Sequence, residues 1–198
     1  HALDIGAVTV LLWALREREE ILKIFERQFG ARLTCHAWRV GGMPNDAYDD
    51  FSKDVKQFVN NFPKRLDEYE TVLSENRIWL SRTVGIGVIS AEDAVAIGLS
   101  GPALRGSGVA WDVRKSRPYA AYGDMDFEVP VGENGDTYDR YLVRLEEMRQ
   151  SRLIIDQALT NLRSLVQTYP KSAEALDAYF LMAGIQERQQ RTDDAMAT

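Results

Sequence analysis

Hydrophobic spacing along the chain is mostly helical. Residues 2–29 read as one long helix. Its first half is apolar nearly all round, a pattern that predicts burial on every side. Its second half is charged, with Ile21, Leu22, Ile24, Phe25 and Phe29 continuing an apolar stripe and Gly30 placed to close the helix. Residues 31–46 carry the breakers Gly41, Gly42 and Pro44 and read as irregular. Phe51, Val55, Phe58, Val59 and Phe62 then share one helical face, predicting a helix over about 46–61. Pro63 should interrupt it and open a new helix that runs to about Leu73. Asn76–Arg82 is helix-like, and Ser90 with Asp93 three residues on predicts a capped short helix over Ala91–Ile97.

Residues 99–139 lose the period and are dense in Gly, Pro, Ser and Asp. Within them Phe127–Val131 alternates like a short strand, and Glu133–Asp136 reads as a turn. The helical signal then returns at its strongest. Tyr141, Leu145, Met148, Ile155, Leu159, Leu162 and Val166 predict a helix over 138–168, stopped by Tyr169-Pro170. A last helix is expected over 172–188, with Ala175, Ala178, Met182 and Ile185 on one face and Thr192 capping a further turn.

Composition narrows the function. The chain has 198 residues, enough for one domain or one domain with an appendage. Net charge is −6, which argues against nucleic acid as a partner because phosphate contact needs a basic surface. A single cysteine rules out an internal disulfide and a self-contained iron–sulfur, nickel or cysteine-rich zinc site, and two histidines leave little for a histidine metal site. The first residue is His1, followed by an apolar run to Leu15 that lacks signal-peptide features and is too short to span a bilayer. It is expected to be a core helix whose upstream context has been cut away.

Four groups could carry chemistry. Gly85-Ile86-Gly87-Val88-Ile89-Ser90 approaches a dinucleotide fingerprint, but Ser90 replaces the third glycine; a tight turn before a capped helix is the simpler reading. Cys35 and His36 could ligate a metal only with further ligands at the right spacing, so a small thiol beside a hydrogen-bonded histidine is favoured. Asp4 is an isolated acid in an apolar run, which reads either as a proton-handling acid in a closed cavity or as an exposed residue near a terminus. Arg105, Arg114, Lys115 and Arg140 accompany Asp112, Asp126, Asp136 and Asp139. This set is a polar site or an ion-pair network holding irregular backbone, and the second is favoured.

Longer motifs point to a family. The start His1-Ala-Leu-Asp-Ile-Gly-Ala, the run GARLTCHAWRVGG ending at Gly42 and NRIWLSRTVGIGVIS from Asn76 come first. GPALRGSGVAWDVRKSRPYAAY (Gly101–Tyr122) and DFEVPVGENGDTYDRYLVRLEEMRQS (Asp126–Ser151) follow in order. Together they resemble the 49-kDa-type, quinone-site subunit of respiratory complex I, the NADH–quinone oxidoreductase, from His1 to about Leu159.

The resemblance implies a mainly α fold with a small irregular or β segment, part of a multihelical fold like that of nickel–iron hydrogenase large subunits. Those relatives hold their metal with cysteine pairs, so the lone Cys35 excludes hydrogenase activity. It implies electron transfer from NADH to quinone coupled to proton translocation, with this chain helping to shape the quinone cavity. Quinone is then the substrate, and the chain itself binds neither metal nor flavin. The iron–sulfur cluster sits on a neighbouring subunit. Asp4 matches the family acid that partners the headgroup histidine; that histidine and the headgroup tyrosine lie upstream of the matched region. Thr34 stands where many members have a histidine that tunes the cluster; His36 and Arg39 lie close by. Implied partners are the cluster-bearing subunit and the membrane quinone-channel subunit, with peripheral attachment at the cytoplasmic side of the bacterial inner membrane.

Residues 162–198, with Pro170, Ala178, Ala183 and Asp193-Asp194-Ala195, resemble a tetratricopeptide-type helical hairpin. The expected division is a part like the quinone-site subunit over 1–159 and a repeat-like tail over 160–198. A fragment or chimeric gene explains that combination, and the chain alone should be inactive. The rival readings are a helical protein-interaction module working through the tail and a nucleotide enzyme built on Gly85–Ser90.

Overall fold

A computed structural model describes residues 1–37, 39–40 and 43–168. The fold is mainly helical: α1 spans Val8–Phe29, α2 Phe51–Leu73, α3 Arg77–Thr83, α4 Ala91–Ala96, α5 Gly101–Gly106, α6 Val113–Ser116 and α7 Thr137–Thr168, with 3₁₀ turns at Leu3–Ile5 and Tyr122–Asp124. No strand occurs among the described residues. The repeat-like tail and the helix expected over 172–188 lie outside the described residues. So do Gly41 and Gly42.

The chain divides into two compact units. The first comprises 1–13 and 62–155; the second comprises, among the described residues, those of 14–61 and 156–168. The first is built on Val10, Leu66, Tyr69, Leu73, Trp79, Tyr141 and Leu145. Trp79 is fully buried, edge-on to Tyr141 at 4.9 Å. The Tyr141 hydroxyl lies 3.1 Å from Ser74 Oγ, and the Tyr138 hydroxyl donates to the Ser74 carbonyl at 3.1 Å. Both phenols thus bury their rings and keep their polar tips bonded. Asn76 starts α3 by accepting from the amides of Ile78 and Trp79. Ser90 caps α4 as its spacing predicts, accepting from the Asp93 amide and donating to the Asp93 carboxylate.

In the second unit, Arg27 pairs with Asp54 and lies 4.2 Å above the Tyr48 ring, while the Tyr48 hydroxyl donates to the same carboxylate. Burial, then the bond to Asp54, pushes the Tyr48 phenol upward. Buried Gln28 bonds the carbonyl of Asp46 and the amide of Tyr48, tying the loop to α1. Residues 46–48 are thereby held as loop, and α2 starts at Phe51 instead of the expected 46. Lys56 pairs with Asp156.

Several other expectations fail for local reasons. The N-terminal helix does not run unbroken from residue 2. Gly6 takes a left-handed conformation (φ 81°) that closes the 3₁₀ turn onto the Leu3 carbonyl, and α1 starts after it. Nor is its first half buried all round: Val10 faces the core, whereas Val8, Leu12 and Leu15 are exposed. Pro63 does not end a helix. The stripe Phe62, Leu66, Tyr69, Leu73 continues in phase with Val55 and Val59, so α2 keeps its register. Burying three of those side chains in the first unit is worth on the order of 5 kcal/mol, more than the ~3 kcal/mol an interior proline costs. Phe127–Val131 is extended but pairs with no strand. Its Glu128 amide donates to the side chain of buried Gln150, and the following Gly132 amide donates to the Arg105 carbonyl. The stretch 99–139, expected to be irregular apart from a short strand and a turn, also contains α5 and α6.

Candidate functional site

The charged residues of the glycine-rich stretch converge in the first unit. Arg105, on α5, is almost completely buried. Its guanidinium meets Glu147 of α7, donates to the Trp111 carbonyl at 3.0 Å and lies 3.7 Å from buried Asp112. Arg114 grips the same Asp112 carboxylate at 2.6 Å and 3.0 Å, and the Arg114 amide also donates to it. These bonds hold the Asp112 carboxyl below the usual aspartate range. Asp112 in turn raises Arg114, while burial lowers Arg105. Two arginines and two acids balance in charge, although the buried Arg105 Nε has no hydrogen-bond partner among the described residues.

A second cluster surrounds the start of α7. Buried Asp136 accepts from the Asp139 amide and from the Gly85 amide at 2.7 Å. Asp139 accepts from the amides of Glu133 and Asn134. Arg140 donates to the carbonyls of Gly135 and Gly87, and Arg144 to the carbonyl of Arg140. Gly135 has φ 68°, and a Cβ there would overlap the Ile89 carbonyl oxygen. The turn Gly85–Ser90 is thereby pinned to α7. Its Gly85, Ile86 and Ile89 amides donate to Asp136, Thr83 and Gly135. A phosphate cradle would need such donors free, so Gly85 and Gly87, with φ 68° and 62°, serve the left-handed turn and the tight-turn reading holds.

A cleft of about 470 Å³ opens beside this region, lined among others by Pro130, Val131, Glu133, Tyr138, Leu142 and Glu146. Burial raises the Tyr138 phenol at its edge.

The residues singled out by resemblance lie elsewhere. Asp4 is in the first unit, in the turn Leu3–Ile5; its side chain is 86% exposed and 3.9 Å from the α-amine of His1. No closed cavity surrounds it among the described residues. Thr34, His36 and Arg39 are exposed residues of the second unit. Thr34 adopts φ 50°, and its hydroxyl donates to the Leu33 carbonyl. Cys35 is partly buried. Among the described residues no three His, Cys, Asp or Glu side chains come together as a metal would require. No helix among them is long and apolar enough to cross a membrane.

Sequence reading missed Glu147, the partner of Arg105. Its signal was a pair of adjacent glutamates, Glu146-Glu147, inside a helix whose neighbours Val143 and Leu145 are core residues. It also missed Arg144, which burial lowers and Arg140 lowers further.

Fold and charge network together define a helical scaffold held by internal ion pairs. Comparison with known proteins then places it. A model of the respiratory-chain NADH dehydrogenase 49 kDa subunit matches residues 4–190, and the chain belongs to that family. It is 56% identical over 163 residues to the NADH-quinone oxidoreductase D subunit of Geobacter metallireducens, covering 82% of this chain and 42% of that one. It is 58% identical over 159 residues to the D 2 subunit of Thermodesulfovibrio yellowstonii, covering 80% and 40%. With the D 2 subunit of Chloroflexus aurantiacus it shares 54% over 165 residues, covering 83% and 40%. The chain therefore spans about two fifths of the length of these relatives.

Proposed function

We propose that this chain contributes to an NADH–quinone oxidoreductase as part of its quinone-site subunit. The complex would move electrons from NADH to quinone and couple this to proton translocation. The chain would shape the quinone pocket, with iron–sulfur cluster and flavin held by other subunits. The observation that carries this reading is 56% identity over 82% of the chain to a protein named as the D subunit of NADH-quinone oxidoreductase. Within the reading, Asp4 is the acid beside the quinone headgroup, and Thr34, His36 and Arg39 lie near the cluster of the adjoining subunit. Partners are that subunit and the membrane quinone-channel subunit, at the cytoplasmic face of the bacterial inner membrane. The fold is part of the hydrogenase-like multihelical arrangement, over 1–159, with a repeat-like tail over 160–198.

Exposure of Asp4 is consistent with an acid whose cavity is completed by other chain segments. So is the exposure of Val8, Leu12 and Leu15 on the adjoining helix.

The test is a segment exchange. The aligned part of the Geobacter metallireducens relative is replaced by this chain within the assembled complex, and NADH-driven quinone reduction is measured. The exchange should retain activity, and Asp4→Asn in it should lower the rate at least about tenfold, a barrier increase of ~1.4 kcal/mol. An exchanged complex that assembles but reduces no quinone overturns the reading. Purified chain alone should not reduce quinone with dithionite.

A further inference from the structure

We propose that the cleft of the first unit lined by residues 130–134 and α7 receives a lysine or arginine side chain, flanked by apolar residues, of a partner protein. The inference does not depend on the quinone-pocket reading. The cleft has a volume of about 470 Å³, within the range of sites that enclose a ligand. Pro130, Val131, Tyr138 and Leu142 give it apolar walls, with Val131 39% and Leu142 37% exposed. Glu133 and Glu146 add carboxylates. Glu133 is exposed and pairs with no cation among the described residues. Glu146 accepts from Gln150 at 2.8 Å and lies 3.4 Å from Arg149, which leaves acceptor positions on it free.

Bonds outside the cleft hold it open. The Gly132 amide donates to the Arg105 carbonyl at 2.9 Å, and the amides of Glu133 and Asn134 donate to buried Asp139. A Cβ on Gly132 would meet the Gly106 carbonyl oxygen at 2.6 Å, so only glycine lets this stretch lie so close to α5. Tyr138 is fixed by the bond from its hydroxyl to the Ser74 carbonyl. The backbone that carries Glu133 is therefore in place before any partner arrives, which lowers the ordering cost of binding.

Charge selects the occupant. Among the described residues no lysine or arginine lines the cleft. Arg140 and Arg144 fall two residues past Tyr138 and Leu142, roughly 200° round the helix, and they bond backbone carbonyls instead. The surplus of acid survives a wide count. Over residues 67–77 and 128–152 ten acids face five arginines, and Arg105, which pairs with Glu147, makes six. Burial raises the Tyr138 phenol, and Glu75, Glu70, Asp136 and Asp139 raise it further, as a negative potential does.

The apolar walls choose among cations. No three His, Cys, Asp or Glu side chains of the described residues come together as a metal would require. A small free amine would fill only part of a cleft of this size. A lysine or arginine lays its stem along apolar surface while its head meets carboxylates, and its apolar neighbours cover Val131 and Leu142.

The probe is the capped peptide acetyl-Leu-Arg-Leu-amide, titrated into the full, isotope-labelled chain at ~0.1 M salt, where distant charges are screened. Backbone amide shifts in the NMR spectrum report binding. They should gather at 131–134 and 138–146 and saturate at millimolar peptide or below. Replacing the peptide's arginine by glutamine, or both leucines by glycine, should weaken binding at least about fivefold, and so should E133Q/E146Q. Leu142→Ser should weaken it severalfold. The control E92Q/D124N, whose acids lie outside the cleft, should stay within about twofold. The inference is overturned if millimolar peptide shifts no cleft amide, or if the glutamine or glycine peptide binds as tightly. It is also overturned if E92Q/D124N weakens binding as much as E133Q/E146Q. Putrescine that binds the cleft more tightly than the peptide would make it a site for a free amine, and would overturn the inference too. Far-UV circular dichroism establishes that each variant retains its helices.

Discussion

Glu147 and Asp112 do at residue scale what composition alone does not show. Each holds a buried arginine in place, and removing one partner of such a group leaves an uncompensated charge. Glu147→Ala should therefore destabilise the first unit by about 3–5 kcal/mol, while Glu147→Asp should recover part of the loss; urea denaturation measures both. The pH dependence has a defined sign. Asp112 is lowered in the folded chain, so its contribution is complete above the ordinary aspartate pKa of about 3.9 and is lost as pH falls through the lower folded value. Tyr141 is raised by burial, so its contribution is present below about pH 10 and is lost as pH rises through the higher folded value. Stability measured against pH should fall at both ends. Asp112→Asn should flatten the acid limb and Tyr141→Phe the alkaline one. An acid limb unchanged in Asp112→Asn would refute its assignment.

At element scale, packing overrules a local breaker in one place and not in another. Pro63 lies inside α2 because the apolar stripe on either side stays in phase and is buried. Pro63→Ala should restore the hydrogen bond to the Val59 carbonyl and raise stability by ~2 kcal/mol, read as an increase in Tm. No gain would mean that the turn around Pro63 already compensates for the missing donor. Gly6 does break its helix: its left-handed φ of 81° closes the Leu3–Ile5 turn, and Ala2, Ile5 and Ala7 reach the core on either side of that turn. The helical character of α3, the cap of α4 and the long α7 were legible because cap chemistry and period act within a few residues; the Asn76 cap of α3 was not read from the sequence. Phe127–Val131 misled because alternation marks an extended stretch but cannot supply a pairing strand; Gln150, distant in sequence, takes that role.

At the scale of the whole chain, one apolar side of α1, opposite core-facing Val10, is exposed. Val8 and Leu12 lie one turn apart with Leu15 three residues on, all exposed. A surface of this kind promotes association of isolated chains. Leu12→Lys should raise the concentration at which the purified chain scatters light, and should change its urea midpoint by less than the equivalent of ~0.5 kcal/mol. A large loss of stability would show that Leu12 is packed after all. Of the residues singled out for chemistry, Asp4 stood out locally as the lone acid of an apolar run and His36 as a possible ligand beside Cys35, whereas Thr34 and Arg39 were found only through long motifs. Each is exposed, so no burial or bonding pattern of its own distinguishes it.

The sequence by itself determined the helical class, the Ser90 cap, the start of α7 and the family, because these rest on short-range period, cap chemistry and ordered motifs. Only the tertiary structure decided which acid neutralises Arg105, why Gly135 must be glycine and why Pro63 is tolerated. Each depends on atoms far apart in sequence brought within a few ångströms, where burial makes an unpaired charge or an added methyl expensive.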